Sequence, residues 1–91
     1  MKYFVYILLC SDDTLYTGFT TDLQKRCNTR NSGKGARYTR ARLPVTLVYF
    51  EEYFDKGSAM TMEYRIKQLT RKKKLNLIKN FNSNHMYNDN G

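Results

Sequence analysis

Tyr3 to Cys10 form an unbroken run of eight apolar residues near the N-terminus, β-branched and aromatic in character and free of Gly and Pro. A membrane helix needs about 20 such residues, so the run is far too short to span a bilayer. It follows a single Lys2, ends in Ser11-Asp12-Asp13 and has no small-residue cleavage site, so it does not read as a secretory leader, and the chain reads as cytoplasmic. The run suits a strand, Lys2 to Cys10, buried on both faces. The chain has 91 residues, enough for one small domain. A domain of that size buries roughly 60–65% of its unfolded surface. Its core is thin, which excludes a deep cavity for a large organic cofactor and favours chemistry on a shallow face.

Ser11 to Thr14 read as a turn, and Leu15 to Thr20 as a second strand that completes a hairpin. Thr21-Asp22-Leu23-Gln24 fits a capping box with Thr21 as N-cap. The short helix that follows runs to about Asn31, turns Leu23 and Cys27 to the core, and ends at the glycines of Asn31-Ser32-Gly33-Lys34-Gly35. A long loop closes at Pro44, and Val45 to Tyr53 form a third strand. Asp55 to Ser58 open a second helix with Ala59, Met62, Ile66 and Leu69 at helical spacing. Thr70 caps a last helix with Leu75, Ile78 and Phe81 as its apolar face. The order is β-β-α-β-α-α. Residues 1–81 form the domain, and 82–91 are expected to be a flexible Asn-rich tail.

Charge is the second constraint. Sixteen Lys and Arg against eight Asp and Glu leave a net charge of +8, which points to a polyanionic partner, nucleic acid before an anionic membrane. The bases are concentrated. From Leu23 to Phe50 there is no acid and seven bases, Lys25, Arg26, Arg30, Lys34, Arg37, Arg40 and Arg42. From Tyr64 to Tyr87 there is again no acid and seven bases, among them Arg71, Lys72, Lys73 and Lys74 in succession. Four cations in a first helical turn oppose the helix dipole, a conflict that a bound phosphate relieves and that solvent also tolerates. The loop from Ser32 to Arg42 interleaves glycines, hydroxyls and cations with Tyr38: Arg binds phosphate bidentately and Tyr stacks on a base. Cys10 and Cys27 have no Cys-x-x-Cys spacing, and a lone His85 builds no zinc site, so both cysteines read as small buried hydrophobes. No phosphate-binding Gly-x-x-x-x-Gly-Lys loop is present, so no nucleotide cofactor is indicated. Glu63 lies on the border between acidic and basic windows. It suits a surface pair with Lys67 at i+4. That pair is the reading its spacing favours; one carboxylate is also enough for Mg²⁺ when a phosphate and waters complete its shell.

Val5-Tyr6-Ile7 in the first strand, Tyr16-Thr17-Gly18 in the second, Arg26 ten residues beyond Tyr16, and Glu63 on the later helix resemble the GIY-YIG nuclease family. The stretch Asn31 to Arg40 and the helix Glu63 to Leu69 look most like its small stand-alone bacterial members, and the resemblance spans about residues 2–80. It implies an α+β domain with a three-stranded antiparallel sheet flanked by helices. It also implies a DNA endonuclease, a hydrolase of phosphodiester bonds that uses one Mg²⁺ or Mn²⁺ ion. In that scheme Tyr6 is the general base or positions the attacking water, Tyr16 supports it, Arg26 holds the scissile phosphate, and Glu63 binds the metal. Arg30, Lys34, Arg37, Tyr38, Arg40, Arg42, Lys72 and Lys73 are the expected nucleic-acid contacts. Arg30 stands where the family usually has His or Tyr, and Arg accepts no proton at physiological pH.

Tyr6 and Tyr16 share a sheet face only if the hairpin has an odd register, such as Leu8 opposite Tyr16; a plain four-residue loop separates the phenols. The odd register is the expectation. So is a monomer with little sequence specificity, because one sheet face and a loop read few base edges. The competing expectation is a nucleic-acid-binding module, for DNA or RNA, that keeps the fold without the activity.

Overall fold

The computed structural model describes residues 1–34 and 41–90. Three strands, β1 (Tyr3–Leu9), β2 (Leu15–Thr20) and β3 (Thr46–Tyr53), form an antiparallel sheet in the order β2-β1-β3. Three helices accompany it: α1 (Leu23–Thr29), which continues as a π-turn over Arg30–Lys34, α2 (Lys56–Gln68) and α3 (Arg71–Asn90). The fold is therefore the α+β arrangement expected. No helix among the described residues is long and apolar enough to cross a membrane.

The apolar run is the central strand. Val5, Tyr6, Ile7 and Leu8 are all completely buried, and strand alternation sends them to opposite faces. Val5 and Ile7 pack with Tyr49 against Ala59 and Ile66 of α2. Tyr6 and Leu8 pack with Val45, Leu47 and Phe50 against Leu23 and Cys27 of α1. The domain is thus a sandwich, with α1 on one face of the sheet and α2 on the other. A bulge in the β1–β3 ladder, where Ile7 pairs Tyr49 but Leu8 pairs Leu47, places Leu47 and Phe50 on the same face although they are three apart.

The hairpin turn sets the other ladder. Asp13 adopts a left-handed φ of 66°, which Asp tolerates better than most residues. The Asp12 carboxylate accepts from the Thr14 hydroxyl (2.6 Å) and amide (3.1 Å), and Arg42 Nε donates to it at 2.9 Å. The Thr14 hydroxyl above all, with the Thr14 amide and Arg42, holds the Asp12 carboxyl below its usual range. Cys10 N–H bonds the Thr14 carbonyl at 2.9 Å, so the loop between the paired Leu9 and Leu15 has an odd length and Leu8 faces Tyr16.

Two local expectations shift. Asp22, not Thr21, caps α1: its carboxylate accepts from Lys25 N–H at 3.0 Å. The Thr20 hydroxyl accepts from Asp22 N–H (3.2 Å) and donates to the Asp22 carbonyl (3.3 Å), holding the chain extended one residue further. On α3, Leu77 joins Ile78 and Phe81 on the core side, whereas Leu75 is 43% exposed. Successive steps of three drift around a 3.6-residue helix, so the 75/78/81 series leaves the stripe that alternating steps of three and four maintain. Thr70 caps α3 as expected, its Oγ1 accepting from Lys73 N–H at 3.3 Å. The helix runs on to Asn90, through the segment read as a tail.

Candidate functional site

The register places Tyr6 and Tyr16 on the same face of the sheet, because Tyr6 pairs Gly18 and Leu8 pairs Tyr16. The missing side chain at Gly18 leaves room for the Tyr6 ring: a Cβ at Gly18 falls 2.6 Å from Tyr6 Cζ. The phenols differ in access. Tyr6 is wholly buried and Tyr16 only partly so.

Arg30 joins them. α1 begins at the Asp22 cap and presents Leu23 and Cys27 to the sheet. The next inward position, three residues beyond Cys27, is Arg30, where the helix widens into a π-turn. The sequence reading sets Arg30 among the phosphate-facing cations. In the structure it is 5% exposed. Its Nη2 donates to Tyr6 Oη and to Tyr16 Oη, both at 3.2 Å, and its Cζ lies 4.8 Å from the centre of the Tyr16 ring. Burial works against the guanidinium charge, but the two phenol oxygens outweigh it, and its pKa is raised. The same burial pushes the Cys27 thiol up, against the pull of the Arg30 charge.

Asn31 follows with a role that residue type alone does not announce. Its side-chain amide donates to the Val45 carbonyl (3.1 Å), and its carbonyl oxygen accepts from Val45 N–H (2.8 Å). This clamp fixes the entry to β3 against the π-turn. The sequence signal for Arg30 was present: a cation at the next turn of the Leu23/Cys27 face occupies an inward position. Asn31 had no comparable signal.

The remaining site residues fall as follows. Arg26 lies on α1 one turn before Arg30, partly buried. Glu63 lies on α2, the helix that covers the Val5/Ile7 face, so it belongs to the opposite layer from the tyrosine pair. Its side chain is 20% exposed, and its Oε2 lies 3.3 Å from Lys67 Nζ. Arg42 is tied to Asp12 at 2.9 Å. Lys72 and Lys73 are exposed in the first turn of α3. Lys34 is described only as backbone of the π-turn, and Arg37, Tyr38 and Arg40 lie outside the described residues. A groove of about 490 Å³ at the start of α2, lined by Tyr53, Asp55, Ser58, Thr61, Met62 and Arg65, includes none of the site residues.

Among the described residues no group of three or more His, Cys, Asp or Glu side chains gathers to hold a metal. The available donor is one hard carboxylate oxygen set, that of Glu63. That donor set fits Mg²⁺ or Mn²⁺ held with substrate oxygens and water, and does not fit a metal enclosed by protein alone.

The GIY-YIG catalytic domain model matches residues 2–76. A UPF0213 protein of Bacillus velezensis is 60% identical over 73 residues, covering 80% of this chain and 74% of the relative. A UPF0213 protein of Streptococcus agalactiae is 58% identical over 76 residues, covering 84% and 86%. The solution structure of a UPF0213 protein from Bacillus halodurans, 47% identical, superposes with a TM-score of 0.58 over 87% of this chain and 84% of that one.

Proposed function

The chain belongs to the GIY-YIG domain family, and from that premise we propose that it is a divalent-metal-dependent endonuclease that hydrolyses DNA phosphodiester bonds with little sequence specificity. The observation that carries this reading is the meeting of Tyr6 and Tyr16 at the Arg30 guanidinium on one sheet face. The strand residues of the motif converge there on a cation, in a domain with a net charge of +8.

In this reading the phenols exchange their expected order. Tyr16, the less buried of the two, meets the attacking water, and Tyr6 braces the site from behind. Both oxygens accept from Arg30, and of the two phenols Tyr16 is the one with a partly exposed side. Arg26 binds a phosphate oxygen and offsets the charge that develops there. Glu63, on the helix of the opposite layer, is the carboxylate that would hold Mg²⁺ or Mn²⁺, and such an ion would supply Lewis-acid stabilisation of the leaving oxygen. Lys67 lies 3.3 Å from Glu63 Oε2, so an ion at this carboxylate would share it with Lys67 or displace it. Lys72 and Lys73 extend the contact along the backbone of the nucleic acid.

A second reading, a nucleic-acid-binding module without cleavage, draws on that same Glu63–Lys67 pair at 3.3 Å, which already satisfies the carboxylate. A nicking assay on branched, single-stranded and duplex DNA with Mg²⁺ and Mn²⁺ separates the two. Cleavage is expected in the wild type and is expected to fall at least about tenfold, equivalent to about 1.4 kcal/mol, in Glu63→Ala and Arg26→Ala. Cleavage that persists in Glu63→Ala removes the metal assignment. Wild-type binding without cleavage establishes the module.

A further inference from the structure

We infer that Arg30 is the positioning residue of the tyrosine pair: a permanently charged, donor-only group that holds both phenol oxygens through one nitrogen and makes their orientation independent of pH. The inference deepens the proposed function and rests on it only for its catalytic consequence. Three observations carry it. First, the two 3.2 Å bonds leave from the same Nη2 atom, one hydrogen to each phenol, so Tyr6 and Tyr16 are held as a unit. Second, the side chain is only 5% exposed and its Cζ lies over the Tyr16 ring, 4.8 Å from the centroid, a further contact that holds the guanidinium at the pair. Third, Arg30 has no carboxylate partner among the described residues, and its Nε has no hydrogen-bond partner there. The phenol oxygens are therefore what hold the buried charge in place.

The consequence is directional. A guanidinium accepts no proton at any working pH. Neither phenol can pass its proton to Arg30, so Arg30 serves the pair as a donor only. Among the described residues, α1 brings Cys27, whose thiol is pushed up by burial, and Arg26 to this side; the end of β1 brings Cys10; and β3 brings Leu47 and Phe50, with Glu52 further along the same face opposite Phe4 and ion-paired to Lys2 at 3.3 Å.

The test places a titrating donor at the same position. In the full chain labelled with ¹³Cζ-tyrosine, the Tyr6 and Tyr16 signals, identified by Tyr→Phe variants, are followed from pH 5 to 8. Arg30→His is expected to add to both signals a step centred near the imidazole value of about 6.5 that the wild type lacks. Arg30→Met is expected to shift both signals at every pH. If either variant fails to fold, the wild type still decides: nuclear Overhauser contacts between the Arg30 guanidinium protons and the rings of Tyr6 and Tyr16 are expected. Signals unchanged in Arg30→Met, or the absence of those contacts, overturn the inference. These readouts need no substrate, so a wild type that shows them but cuts no DNA refutes the nuclease reading and leaves the positioning role standing. If the chain cuts, Arg30→Met is expected to lower kcat at least tenfold with little change in KM. A change in KM alone contradicts the link to catalysis.

Discussion

Tyr6 stands directly opposite Gly18 in the β1–β2 ladder, and its ring fills the space that a side chain at 18 would occupy. Gly18→Ala is therefore expected to displace the ring or the strand. Overpacking of this kind costs about 1–3 kcal/mol, and in a domain of this size each kcal/mol lowers Tm by about 4–8 °C. Thermal unfolding checks it, and an unchanged Tm would show that the ring is not confined by Gly18.

The Asn31 clamp on Val45 predicts a graded pair of variants. Asn31→Ala leaves both backbone groups of a nearly buried residue without their partner, at a cost of about 1–3 kcal/mol. Asn31→Asp keeps the acceptor for Val45 N–H and loses only the donor to its carbonyl. Urea unfolding should rank the wild type above Asn31→Asp and Asn31→Ala lowest. Equal midpoints for all three exclude the clamp as a source of stability.

Stability should also fall in alkali. Burial first, then the neighbouring Glu51 charge, pushes the Tyr53 phenol up to about 12. Tyr49, buried and donating to Glu51 Oε2 at 2.7 Å, is raised as well. Unfolded tyrosine titrates near 10. Between about pH 10 and 12 the folded chain keeps a proton that the unfolded chain has released, so for Tyr53 the free energy of unfolding decreases with rising pH over that window. Urea midpoints measured at pH 9, 10 and 11 should decline, and the decline should be shallower in Tyr53→Phe.

Salt dependence tests the nucleic-acid face. The logarithm of the DNA association constant should fall linearly with the logarithm of salt concentration, with a slope near −0.9 per phosphate contact for duplex DNA. Reversing Lys72 and Lys73, exposed at the start of α3, should reduce that slope by roughly 1 to 2. Arg42→Ala should change it less, because Arg42 already serves Asp12. Binding that ignores salt would exclude a phosphate-directed face.

Much of the fold was legible because its signals are local. An apolar run without a breaker became the central strand, Leu15 to Thr20 paired with it, and Ala59, Met62, Ile66 and Leu69 turned to the core. The cap of α1 moved by one residue because the Thr20 hydroxyl binds Asp22, a competition between neighbouring hydroxyl and carboxylate groups that composition does not rank. Leu77 displaced Leu75 on α3 because the choice between two flanking apolar positions belongs to the surface against which the helix packs.

For the site, it was the resemblance to the GIY-YIG family that named Tyr6, Tyr16, Arg26 and Glu63, and parity that tied the shared face of the tyrosines to an odd turn. Periodicity and turn chemistry are interactions between residues close in the chain, so they are written in its order. What Arg30 binds at its inward position is different in kind. Its side chain has a long reach, and whether it meets solvent phosphate or two phenols 14 and 24 residues away depends on how α1 and its π-turn are laid over the sheet. That choice is made by the burial of Leu23 and Cys27 and by the Asn31–Val45 clamp, contacts that exist only once the layers have packed.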